Sequence, residues 1–248
     1  MSLNTIDDVI THLNLIITAE KQRSSCLVFF PILYKAVTVR VKEGIANNEF
    51  SNGPRMEKLD VIFAKRYIDA HTSYRAGEAC TQSWFEAFEA VNHKNLLIIQ
   101  HLLLGINAHI NLDLGIAASQ TMADNDLADF EDDFNKINEI LASMVAGVKD
   151  KIKKVSPMFS LFEKLTKGKE DKVVSFSINI ARDGAWLFAN EFHNAHDKER
   201  SIRDRDGVIL AVAKKIISPK SKLVNFLMKV VKFFEQKDTA AICLIMEK

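Results

Sequence analysis

The chain is 248 residues long, 48% hydrophobic and 26% charged. That composition excludes a disordered or fibrous protein, and the length buries enough surface to fold without a disulfide or metal staple. Its 33 basic and 32 acidic residues nearly cancel, so no positive excess calls for nucleic acid as a partner.

Only four prolines and nine glycines interrupt the chain, and apolar residues recur at i, i+3, i+4 and i+7, which predicts an all-α protein. The N-terminal segment is acidic where a secretory signal needs basic residues. The helices are expected, in order, over Thr5 to Thr18, Cys26 to Glu43, Pro54 to Gly77, Ala79 to Val91, Asn95 to Met122, Asp126 to Lys154, Met158 to Thr166, Lys172 to His196, Arg200 to Ile217 and Lys220 to Gln236. Asn47 to Pro54 reads as a loop, and the Ser-Pro pairs at Ser156 and Ser218 read as helix starts, a capping hydroxyl followed by proline. Three widely spaced cysteines, Cys26, Cys80 and Cys243, form no CxxC pair. With the N-terminus they fit a cytoplasmic protein whose thiols are reduced and buried. No linker or repeat divides the chain, so residues 1–248 are expected to form a single multi-helix bundle of about ten helices, with 198–248 as a basic C-terminal appendage.

Between Lys94 and Asp124 the only formally charged residue is Asp113. A helix near residues 95–122 that is apolar nearly all round belongs either in a membrane or at the centre of a fold. His101, Asn107, His109, Asn111 and Asp113 would each cost a few kcal/mol at mid-membrane, which favours the buried soluble helix. Successive residues four apart drift by about 40°, so His101, Gly105, His109 and Asp113 form one row and Leu103, Asn107, Asn111 and Gly115 another. Buried polar groups need partners, and a second apolar run supplies candidates: Val173 to Asn190 holds only Arg182 and Asp183 as charges. Arg182, Trp186, His193 and His196 fall near one stripe. The expectation is a cleft in which His101, His109 and Asp113 face Arg182, Trp186, His193 and His196, with Arg182 tied to Asp113 or Asp69.

Such a cleft could hold a small molecule. It could hold a divalent metal on His109, Asp113, His193 and His196, a spacing seen in helical metal sites, although HExxH and ExxH are both missing. An imidazole there could serve as general base of a hydrolase. The alternative is a non-enzymatic interaction or structural protein whose polar network only specifies the fold. No GxSxG, P-loop, GxGxxG or kinase motif is present, so acyl-transfer and nucleotide chemistry lack support. Tyr67, His71 and Tyr74 share a helix face that reads as core lining, as do Trp84 and Trp186. Asp124 to Glu139 holds seven acidic residues and one lysine, whereas Lys198 to Lys237 holds eleven basic and four acidic, an asymmetry that could steer the two regions together within the fold or between copies. Leu223, Phe226, Leu227, Val230 and Phe234 make one apolar face of the last helix, read as packing rather than membrane binding.

The combination "HLLLGINAHINLDLG" (His101 to Gly115) and "ARDGAW" (Ala181 to Trp186) resembles an uncharacterised bacterial family catalogued as a domain of unknown function. The resemblance implies an all-helical fold and singles out His101, Asn107, His109, Asn111, Asp113, Arg182 and Trp186, without assigning them roles.

Overall fold

Side chains that satisfy the first backbone N–H groups of each helix mark where this chain turns. The computed structural model describes residues 3–123, 125–166 and 178–248. Helix α1 (Ile6–Gln22) begins at a capping box, Thr5 accepting from the Asp8 N–H while the Asp8 carboxylate accepts from the Thr5 N–H. After α2 (Phe29–Ala46), Asn52 caps α3 (Gly53–Ala76), whose first turn contains Pro54. Gly77 closes α3 at φ 74°, a left-handed conformation that glycine adopts without cost. Helix α4 (Gln82–Glu89) takes its cap from another part of the chain: the carboxylate of buried Asp206 accepts from the Gln82 and Ser83 N–H groups at 2.6 and 3.0 Å. Then follow α5 (Ile98–Thr121), α6 (Glu131–Val155), α7 (Phe159–Thr166), α8 (Ile178–Asn194), α9 (Lys198–Ile217), α10 (Lys222–Phe234) and α11 (Thr239–Met246). The described residues form eleven helices and no strand.

Ten of these follow the sequence expectation. Helix α11 does not, because eight residues are too few to display a helical period; Asp238 caps it through the Ala240 N–H. The Ser-Pro starts are also displaced. Ser156 ends α6 and gives its hydroxyl to Glu235, while Ser218 ends α9 and the cap of α10 is Ser221. The first part of the helix expected from Lys172, up to residue 177, lies outside the described residues.

Helix α5 runs through the middle of the molecule and supplies side chains to all four patches of buried apolar residues. It is the one described helix long and apolar enough to cross a membrane, and most of its apolar stretch is buried inside the fold. It is not a uniform α-helix. Ile98–Ala108 and Leu114–Thr121 are α-helical, and His109–Asp113 form a π turn between them. Beside that turn Asn111 O accepts from Arg205 Nε of α9 at 3.0 Å, and Arg205 Nη2 reaches Gly184 O of α8 at 3.1 Å.

Segment 198–248, read from its charge as an appendage, is part of the core. Helix α9 packs on α4 and α5. Val224, Met228, Val231, Ile242 and Cys243 are buried with Phe29, Leu97 and Leu102. The lysines of these helices face solvent, so charge alone concealed the packing face.

Candidate functional site

The π turn of α5 presents His109 and Asp113 on the side where α2, α3 and α4 pack. Asp113 has no exposed surface and accepts three bonds: from Arg66 Nε of α3 at 2.6 Å, Trp84 Nε1 of α4 at 2.7 Å, and His109 Nδ1 at 3.3 Å. Burial alone would raise its carboxyl. The Arg66 guanidinium and the His109 and Trp84 N–H groups outweigh that and hold it below the ordinary carboxylate range. An ionised Asp113 can only accept, so Nδ1 carries the imidazole proton and Nε2 is left with a lone pair. The same burial pushes His109 down, against the opposing pull of Asp113, so the ring is neutral at physiological pH.

Aromatic rings fix the orientation of that imidazole. It stacks on Phe63 with centroids 3.5 Å apart and planes 6° from parallel, and the Tyr34 and Phe30 rings meet it edge-on at 4.4 and 5.6 Å. Its Nε2 is buried with no hydrogen-bond partner among the described residues. Tyr34 Oη and Asp60 Oδ2 are likewise buried and, among the described residues, meet no hydrogen-bond partner by geometry. All three residues line one cavity of about 660 Å³ between α2, α3, α5, α6 and α7. Leu33, Val37, Leu103, Ile137, Met144 and Phe159 are typical of its wall. The other polar groups on the wall are engaged: the Gln100 amide bonds Leu97 N and Ile216 O, and Lys149 pairs with Glu163 at 3.7 Å. Burial, with Glu57 nearby, pushes the Asp60 carboxyl up to about 8, so it holds its proton and can donate.

The sequence-predicted residues divide between this site and other parts of the fold. His109 and Asp113 meet as foreseen. Arg182 is not their partner. It is buried on α8, and among the described residues its Nε and Nη1 have no acceptor, while Arg66 occupies the place on Asp113. The reason is rotational: α8 packs against the Gly115 side of α5, where an added Cβ would lie 2.8 Å from Ala185 O. That is the second row of the helix, not the first. Asn107 and Asn111 lie on this other side too, Asn111 Nδ2 donating to Asn107 Oδ1 and Asn107 Nδ2 to Ile209 O of α9, both at 3.0 Å. Trp186 packs on Phe134 at 4.7 Å, and His101 abuts Phe29. The four metal candidates do not converge. His193 Nδ1 lies 3.3 Å from Ser119 Oγ, His196 is exposed, and among the described residues no three His, Cys, Asp or Glu side chains are grouped to hold a metal.

Residues 6–219 match the model of a family of unknown function, DUF5995. The chain belongs to that family. No curated protein and no solved structure matches it. The DUF5995 match includes every residue of the His109 site.

Sequence reasoning missed Tyr34, Asp60, Phe63 and Arg66. One signal was legible: Asp60, Phe63 and Tyr67, spaced i, i+3 and i+7, put an acid on the aromatic face of α3. Tyr67, His71 and Tyr74 do line the core as read, His71 Nε2 bonding Glu20 at 3.0 Å and Tyr74 Oη donating to Glu89 at 2.9 Å.

Proposed function

We propose that this chain binds a small, mostly apolar organic molecule carrying one uncharged polar group, with that group seated against His109, Tyr34 and Asp60. The observation that carries the reading is three buried polar atoms without partners among the described residues, each belonging to a side chain that lines one apolar cavity. Each would cost about 1–3 kcal/mol if left unsatisfied, and a fold built only for stability has no reason to gather them. The cavity volume falls within the range of known ligand sites, roughly 300–1,000 Å³.

The chemistry of the wall narrows the ligand. His109 Nε2 is an acceptor, protonated Asp60 a donor, and the Tyr34 hydroxyl either, which suits an alcohol or carbonyl. A carboxylate is disfavoured because Arg66 is committed to Asp113 and Lys149 to Glu163. Imidazole backed by carboxylate is also the arrangement of a general base, but no serine, threonine or cysteine lines the cavity among the described residues. Binding is therefore favoured over acyl chemistry.

Displacement of Nile red from the full chain by 1-dodecanol and by dodecane tests this. Dodecanol is expected to bind about tenfold more tightly, a difference of about 1.4 kcal/mol that one hydrogen bond supplies. His109→Phe keeps the ring and should bring the two within about threefold, while Val37→Trp fills the cavity and should weaken both with helical circular dichroism unchanged. If neither compound displaces the dye, or if His109→Phe leaves the preference intact, the polar atoms serve the fold alone.

A further inference from the structure

A second pocket, of about 500 Å³, opens where the start of α5 meets α10 and α11. Lys94, Lys229, Lys232 and Lys237 stand on its wall, and among the described residues no carboxylate does. Two acids adjoin the lining residues: Glu235 is buried and engaged, accepting from Ile98 N at 3.1 Å, Ser156 Oγ at 2.5 Å and Lys232 Nζ at 2.9 Å, and Asp238, between Lys237 and Thr239, caps α11 by accepting from Ala240 N at 3.0 Å. Among the described residues, Lys94, Lys229 and Lys237 have no acidic partner. Like charges gathered round one concavity repel one another and focus a positive potential into it. The floor contains His101, more than nine-tenths buried, whose ring nitrogens make no hydrogen bond among the described residues.

We propose that this pocket binds a phosphate-bearing anion, with Lys94, Lys229 and Lys237 supplying charge and the His101 imidazole an N–H donor at the floor. Lysine ammonium groups bind phosphate as point charges from several directions and do not require the planar fork of arginine. Burial, helped by Lys232 and His93, pushes His101 down to about 4, so the ring is a neutral donor until an anion arrives and draws its titration upward. Two sources share this chemistry, a soluble phosphate compound and the headgroup of an anionic lipid. Phe226 and Phe233, 63% and 73% exposed beside the lysines, keep the second in the test. Lys229, Lys232 and Lys237 lie beyond the residues that match the family, and the proposal does not depend on the cavity at His109.

The experiment follows the His101 ring resonances of the full chain during titration with inorganic pyrophosphate at low salt. In parallel, the protein is sedimented with phosphatidylcholine vesicles with and without phosphatidic acid. The expected results are saturable shifts of the His101 resonances with a raised apparent pKa, and at least tenfold weaker binding by the Lys94→Gln, Lys229→Gln, Lys237→Gln triple variant. All three lysines are exposed, so the variant should keep its helical spectrum. Pelleting that requires phosphatidic acid and is lost in the triple variant assigns the site to a lipid headgroup; a response to pyrophosphate without such pelleting assigns it to a soluble phosphate. Binding of neither probe, or binding that the triple variant retains, overturns the proposal.

Discussion

Asp60 is an acid placed where ionisation is penalised, and this has a measurable consequence. The folded chain holds the Asp60 proton to about pH 8, whereas an unfolded chain releases it near the ordinary 3.8. Between those values the folded state binds more protons, so stability falls as pH rises, by about 1.4 kcal/mol per unit. Asp60→Asn removes that dependence. The variant should match the parent near pH 4, exceed it by about 4 kcal/mol at pH 7, and gain nothing further above pH 8. Urea unfolding at pH 4, 5.5 and 7 measures the gap, and a constant difference would show that the carboxyl is ionised throughout. At this scale the sequence was only half legible. His109 and Asp113 were visible because a helix places i and i+4 together, a local rule. Arg66 and Tyr34 approach them only because α2 and α3 fold across α5, and no spacing within one helix encodes that.

The existence and order of ten helices and the central position of α5 followed from hydrophobic periodicity, since an apolar face of period 3.6 is what helix packing requires. The partner of each face did not follow. Two glycines decide it, and they do so through different neighbours. A Cβ on Gly105 would lie 2.4 Å from the Phe30 ring, and one on Gly115 would lie 2.8 Å from Ala185 O and 3.2 Å from Ala189 N. The second contact is backbone against backbone, which cannot rotate away. Gly115→Ala should therefore separate α5 from α8 at a cost of about 2–3 kcal/mol, lowering Tm by about 4–12 °C in a chain of this size. Gly147→Ala is the control: among the described residues nothing beyond its own stretch of helix lies within 4 Å of its added Cβ. It should instead raise stability by about 0.5–1 kcal/mol, because alanine favours the helix. Calorimetry of the two variants checks both signs. The π turn was illegible from the sequence, since a row drawn at 100° per residue presumes that the helix never changes its winding.

Across the whole molecule, near-neutral composition conceals a set of buried carboxylates that join distant parts of the chain. Asp133 of α6 accepts from Ser51 N, Asn52 N and Arg55 before and within α3; Asp206 of α9 caps α4; Glu235, following α10, holds the first N–H of α5. Glu20 of α1 is the fourth. It has no exposed surface and is bonded by His71 Nε2 at 3.0 Å and Arg75 Nε at 2.8 Å, both on α3. Burial opposes its charge, but His71 and Arg75 prevail and bring it down to about 2 from the ordinary 4.5. Because the folded value is the lower one, the stabilisation is complete above pH 4.5 and disappears as pH falls from there through 2. Glu20→Gln should cost about 3 kcal/mol at pH 7, and parent and variant should converge as acid titrates the parent's carboxylate. Chemical unfolding at pH 7, 4 and 2.5 follows that convergence. A deficit that stayed constant to pH 2.5 would mean that Glu20 acts through packing, and that the link between α1 and α3 is not ionic.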